Sequence, residues 1–127
     1  MHPDDWLEII ARLGAAVGCG AVLGWEREAQ NKPAGLRTHM MVALGAAAFT
    51  LVTLKIFEMA MQQSQSQRLG IDPIRVVSGV IGGIGFLGAG TIIQSRRSVQ
   101  GITTAAAIWV VGATGIACGT GYYLVAL

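Results

Sequence analysis

Charge is what this sequence has least of. Only 13% of its 127 residues are Asp, Glu, Lys or Arg, about half the share found in soluble domains. Its net charge of +2 is too small to argue for nucleic acid. The charges cluster between apolar runs and do not form a basic face interleaved with aromatics. Cysteine is scarce too. Cys19 and Cys118 both lie inside apolar runs, with no metal-type spacing. They are expected at different depths, which disfavours a bond between them. The only histidines are His2 and His39. No serine, histidine and acid arrangement is present, nor a phosphate-cradling loop followed by lysine. The sequence therefore reads as non-enzymatic, with no cofactor expected. The opening Met1-His2-Pro3-Asp4-Asp5 is acidic where a cleavable signal would be basic, so the first apolar run is expected to direct insertion itself.

What the sequence has in quantity is apolar residues, at 53%, and glycine, at 18 residues. Mean hydropathy is +0.57. The densest stretch is Arg75 to Ile93, uncharged after Arg75, with Gly79, Gly82, Gly83, Gly85, Gly88 and Gly90. In water each glycine inside a helix costs about 1 kcal/mol against alanine. In a bilayer unpaired backbone groups are costlier still, so the helix holds and each glycine opens a groove for a neighbour. The stretch reads as a membrane helix against which other helices pack closely. Gly83 to Gly88 also matches G-x-G-x-x-G. That motif needs a strand, a turn and a free helix N-terminus at the pyrophosphate. Here it sits inside an unbroken apolar run, so dinucleotide binding is set aside.

The whole reads as an all-α integral membrane protein. It is a single domain over 1–127, a compact bundle of four transmembrane helices at about 7–25, 38–57, 74–93 and 101–121. Gly14, Gly18, Gly20 and Gly24 give the first span two G-x-x-x-G spacings. Glu8 and Arg12 lie four apart on one face and can pair, with Arg12 snorkelling or facing the bundle. Pro33 suits the first turn of the second helix. Lys55, near that helix's far end, can reach the headgroups. A polar connector is expected from Glu58 to Pro73, and Asp72-Pro73 is a start signal for the third helix. The uncharged run from Val99 to Leu127 exceeds a ~30 Å core as one helix, so a truncated fifth helix is expected near Tyr122.

Basic residues set the orientation. Arg27, Lys32, Arg37, Arg96 and Arg97 lie on one side, and Arg12, Lys55, Arg68 and Arg75 on the other. The positive-inside rule then places connector 26–39 and turn 94–100 in the cytoplasm, with the N-terminus and the 58–73 loop outside.

Four spaced motifs occur in order: Gly24-Trp25-Glu26-Arg27-Glu28; Lys32-Pro33-Ala34-Gly35-Leu36-Arg37-Thr38-His39; Gly85-Phe86-Leu87-Gly88-Ala89-Gly90; and Gly101-Ile102-Thr103-Thr104-Ala105-Ala106 with Trp109. Together they resemble the N-terminal transmembrane domain of the MgtC/SapB family, from Arg12 to about Tyr123. The resemblance implies a bacterial inner-membrane protein linked to magnesium homeostasis and virulence. Some members are described as magnesium transporters, and others as regulators that bind the membrane ATP synthase. The family pattern has a fifth helix and often a soluble C-terminal domain. This sequence departs from it, since the fifth helix would only begin at Tyr122 to Leu127.

The candidate site is a cluster on the cytoplasmic face: Glu26, Arg27, Glu28, Arg37, Thr38, His39, Arg96 and Arg97. Pairing of Glu26 or Glu28 with Arg37 or Arg96 would fix helix register. A partner-binding surface is an alternative. A magnesium site is a third reading, with Glu26 and Glu28 as its weak candidates, because magnesium takes carboxylates and waters. His39 is expected to hydrogen-bond at the interface. Hydroxyls in the spans read as interhelical or back-bonded. Gly79, Gly82, Gly83, Gly85, Gly88, Gly90, Thr103, Thr104 and Trp109 are the packing candidates. Expected partners are the lipid bilayer and either a second copy or a membrane complex such as ATP synthase. An ion transporter or pore subunit is the alternative function.

Overall fold

The structure is a computed structural model that describes residues 3–63, 72–94 and 98–127. Its helices are α1 (Pro3–Ala29), α2 (Leu36–Gln63), α3 (Pro73–Gly90), α4 (Ile102–Thr120) and the single turn α5 (Tyr123–Ala126). A two-residue-per-strand hairpin, β1 (Ile93–Gln94) and β2 (Val99–Gln100), joins α3 to α4 with Ile93 opposite Gln100. Four of the helices are long and apolar enough to cross a membrane. The protein is a multi-pass membrane protein.

The boundaries move where end chemistry acts. Asp72 accepts from the Ile74 amide at 2.9 Å and Pro73 opens α3, the cap that the Asp72-Pro73 pair predicts. α1 runs past Trp25 to Ala29 and closes on Asn31, whose φ is 53°. The Lys32 amide reaches the Arg27 carbonyl and the Asn31 amide reaches that of Glu28, a left-handed cap that satisfies two end carbonyls. Gly121 (φ 83°) ends α4 the same way, through Tyr122 to Ala117 and Gly121 to Cys118. Pro33 lies outside the helix it was expected to open, because α2 is capped three residues later, at Leu36. The expected polar connector is also shortened. Glu58 to Gln63 continue α2, and residues 64–71 lie outside the described ones. Ile93 leaves the third span to pair in the hairpin.

Small side chains set the helix directions. A Cβ added to Gly20 would fall 2.8 Å from the His39 carbonyl oxygen, and one on Gly24 2.7 Å from the Leu36 Cα. α1 and α2 are therefore antiparallel and nearly touch. Gly115 faces Ala43 and Ala46 while Gly119 faces Ala47 and Thr50, so α4 runs parallel to α2. Ile84 fills the space over Gly112, and Gly88 lies over Ala105, so α3 runs against α4. The chain thus goes up, down, up and down. α4 is the most buried span and α3 the least. The core is built from Ala16, Ala43, Ala47, Val111 and Cys118, with a second cluster of Ala34, Ala46, Ile84 and Ile108. Cys19 packs against the first cluster, within reach of the Cys118 thiol. The two cysteines share one core and are not separated in depth as expected. They remain free.

The hydroxyls largely bond back to their own helices: Thr50 to Ala46, Thr53 to Phe49, Ser78 to Ile74 and Thr114 to Val110. This relieves them of any need for lipid-side partners. Arg12 faces the bundle. Its Nη1 donates to the Gly119 carbonyl at 2.9 Å, and its Nη2 pairs with Glu8. A cation there also complements the negative end of α4.

Within this chain the α3 glycines, expected to receive a neighbouring helix, are mostly unoccupied. A Cβ on Gly79, Gly82, Gly83, Gly85 or Gly90 would meet no atom within 4 Å; of the six, only Gly88 contacts another helix. The reason is the ridge that α3 presents. Val80, Ile84 and Gly88, four apart, face the bundle, and the other glycines lie off that line. The tight seats are Gly20, Gly24, Gly115 and Gly119.

Gly115→Ala is expected to lose about 1–3 kcal/mol, because a new methyl meets backbone. Gly82→Ala is expected to gain up to about 1 kcal/mol from helix propensity. Thermal unfolding of the two variants in detergent checks this contrast, and equal shifts would refute the assignment of seats.

Candidate functional site at the connector end

The antiparallel order brings the end of α1, the start of α2 and the start of α4 to one end of the bundle. Arg27, in the last turn of α1, donates from Nη2 to Thr104 Oγ1 at 3.1 Å. Thr104 is buried in the first turn of α4. This bond ties the first motif to the fourth across 77 residues. The Arg27 Nε is buried without a hydrogen-bond partner among the described residues.

Glu28 has a structural task. Its Oε2 accepts from the Leu36 amide at 2.8 Å, so a side chain of α1 caps α2, satisfying an amide that the helix cannot pair. A Cβ on Gly35 would lie 2.8 Å from that same oxygen, which explains a glycine beside the cap. Glu26 points elsewhere, accepting from Gln30 Nε2 at 3.1 Å one turn along α1. Neither carboxylate pairs with Arg37; each meets an N–H donor of its own neighbourhood instead. Arg37 and Thr38 are exposed. Arg96 and Arg97 lie outside the described residues.

Among the described residues of the cluster, His39 is the most enclosed. It hydrogen-bonds at the start of α2, as expected, but is fully buried within the bundle. Its Nδ1 lies 2.9 Å from the Gly35 carbonyl oxygen. A carbonyl only accepts, so Nδ1 carries a proton and donates to it. The ring's Nε2 is buried with no partner among the described residues. The ring is held because Gly20 and Gly24 let α1 close over it.

Gly101 has a role that no spacing rule marks. Its φ is 89°, and an added Cβ would collide with the Thr91 carbonyl. Only glycine combines that backbone with that approach, and it lets the hairpin turn into α4. Thr103 and Trp109 face outward, Trp109 at 55% exposure. Of the packing residues expected in this motif, Thr104 alone points into the bundle.

Glu26 and Glu28, two apart, fall on different faces of α1 and are occupied by the donors above. Among the described residues no group of three or more His, Cys, Asp or Glu could hold a metal ion. As it stands, the site fastens three helix ends with one arginine, one carboxylate cap and one buried imidazole. Glu28→Ala is expected to cost about 1 kcal/mol of stability through the lost cap. Glu26→Ala, at an exposed pair, is expected to cost under about 0.5 kcal/mol. Denaturation in mixed micelles separates the two, and a larger loss at Glu26 would overturn the assignment.

Residues 13–127 match the family model described as the MgtC family. The chain is 41% identical over 115 residues to the putative magnesium transporter YhiD of Escherichia coli, covering 91% of this chain and 52% of that protein. It is 38% identical over 117 residues to protein SapB of Bacillus subtilis, covering 91% and 49%. It is 39% identical over 111 residues to protein MgtC of Brucella abortus, covering 87% and 42%. The chain thus spans about half the length of these curated relatives. No solved structure matches it. With a family model covering nearly all of α1 through α5 and all four motifs in place on the bundle, the chain belongs to the MgtC family.

Proposed function

We propose that this chain is a non-enzymatic membrane module of magnesium homeostasis or membrane energetics that works by docking another transmembrane helix, from a second copy or from a membrane complex such as ATP synthase. The observation that carries this reading is the open face of α3. An apolar groove of about 620 Å³ runs between α2 and α3, floored by Gly45, Gly79 and Gly83 and walled by Met41, Phe49 and Leu87. A Cβ on any of the three floor glycines would meet nothing within 4 Å. Elsewhere in the bundle, Gly20 with Gly24 and Gly115 with Gly119, each pair spaced four apart, seat a neighbouring helix, whereas Gly14 and Gly18 do not. Gly79 and Gly83 have the same spacing and no occupant. Without a hydrophobic drive between helices in lipid, close backbone approach at small residues is what holds such pairs.

A second reading, magnesium transport, draws on the name of the Escherichia coli relative. The chemistry of the spans favours it less. Among the described residues the buried polar side chains are His39, Thr50, Thr53, Thr104 and Thr114, whereas a cation path in a membrane is usually marked by buried acids.

The connector end is assigned to the bacterial cytoplasm on the excess of basic residues at that end, and the bundle to the inner membrane on its membership of the MgtC family. A membrane-impermeant maleimide is expected to label Asn31→Cys only after spheroplasts are lysed, and labelling of intact spheroplasts would reverse the assignment.

Gly79→Cys and Gly83→Cys are expected to trap a dimer or a defined heavier complex on oxidative crosslinking in native membranes. Gly115→Cys, inside the bundle, is expected to trap none. Folded Gly79→Cys and Gly83→Cys chains that remain monomeric would refute docking. For the alternative, magnesium flux into liposomes holding the purified chain would favour transport.

A further inference from the structure

At the end of the bundle away from the connector, a cleft of about 350 Å³ opens between α1 and α2. Its rim carries Asp5, Glu8 and Arg12 from α1 and Lys55 and Glu58 from α2. We propose that this cleft is a binding site for a phospholipid with a zwitterionic, ethanolamine-type headgroup.

Depth comes first. α1 has 27 residues and α2 has 28, about 40 Å each at 1.5 Å per residue, against a hydrocarbon core of ~30 Å. Each helix projects past the core, and Asp5, Glu8 and Glu58 fall on the end turns. Arg12 and Lys55 start about one turn deeper, where their long stems carry the charge up to the headgroups, so the rim sits at headgroup level. Below it the cleft is lined by Leu13, Leu51 and Val52, an apolar wall suited to the upper part of an acyl chain.

The charge pattern then selects the headgroup. Three carboxylates and two cations face the same space. A lone anion would meet the carboxylates, and a lone cation would meet Arg12 and Lys55. A phosphate joined to an ammonium satisfies both signs at once. The guanidinium of Arg12 is already fixed by Gly119 and Glu8. Its Nε is buried without a partner among the described residues. Lys55 and Glu58 pair at 3.4 Å with about half of each side chain exposed, 45% and 59%. Such pairs contribute little in water, so they can open toward a ligand. A soluble zwitterion would leave the apolar wall uncovered, which is why a lipid is the occupant.

The test is native mass spectrometry of the purified full chain released from mixed phosphatidylethanolamine and phosphatidylglycerol micelles. The expected result is retention of one phosphatidylethanolamine with a preference of about fivefold, as two weak charge pairs would give. Equal retention of the two lipids would overturn the proposal on the unmodified chain alone. Lys55→Ala with Glu58→Ala is expected to abolish the preference, while Lys32→Ala on the connector leaves it unchanged. A preference that survives the double substitution places the lipid elsewhere and overturns the site. Soluble glycerophosphoethanolamine in excess is expected not to displace the lipid, and displacement would show that the headgroup alone is bound. None of these outcomes depends on whether the α3 groove docks a helix.

Discussion

Everything in this bundle depends on how closely α4 approaches α2. At Gly115 and Gly119 the two helices are near backbone contact, with only Ala43, Ala46, Ala47 and Thr50 between them. In a bilayer there is little gain from hiding one apolar surface against another, because lipid is already apolar. What remains is dispersion between closely fitted atoms, and that rises steeply as helices come together. The small-residue seam therefore does the work that large side chains do in a soluble core. It also explains why the core clusters are mostly alanine, with Val111, Ile84 and Ile108 filling the remaining space.

That seam fixes the rest. Once α4 lies parallel to α2, α1 closes on α2 through Gly20 and Gly24 and on α4 through Ala16. His39 is then enclosed at the junction, and Arg12 and Arg27 are carried to opposite ends of α4. Each arginine meets an α4 end group: the Gly119 carbonyl at one end and the Thr104 hydroxyl at the other. The polar bonds do not drive the packing. They satisfy groups that the packing has taken out of water, where an unpaired group is costly.

α3 is the exception, and its looseness is informative. It touches the bundle along one ridge and leaves most of its glycines facing outward. A helix that needed only to fill its place in this chain could carry alanine or leucine at those positions. Its glycines keep an apolar groove open along α2, and they are the feature on which the proposed docking role rests. At the far end, the charged cleft between α1 and α2 is a separate feature, set by helices longer than the hydrocarbon core.

The sequence by itself determined the class, the four spans and their order, because a bilayer tolerates only long, largely uncharged helices, and charged or polar connectors separate one apolar run from the next. It also determined the α3 cap, since Asp72-Pro73 is local chemistry, and the four motifs that identify the family. Tertiary structure decided which glycines are seats. Spacing of four is the same at Gly20–Gly24, Gly79–Gly83 and Gly115–Gly119, and only the direction each face takes toward a neighbour separates them. It decided the partners of the site residues too. Glu28 was legible as an acid in a connector, but its bond to the Leu36 amide depends on the path of the chain around Asn31. His39 was legible as the start of a helix, and its burial depends on α1 having no side chains at Gly20 and Gly24. These are long-range facts of shape, and a one-dimensional pattern of residue types carries only the short-range ones.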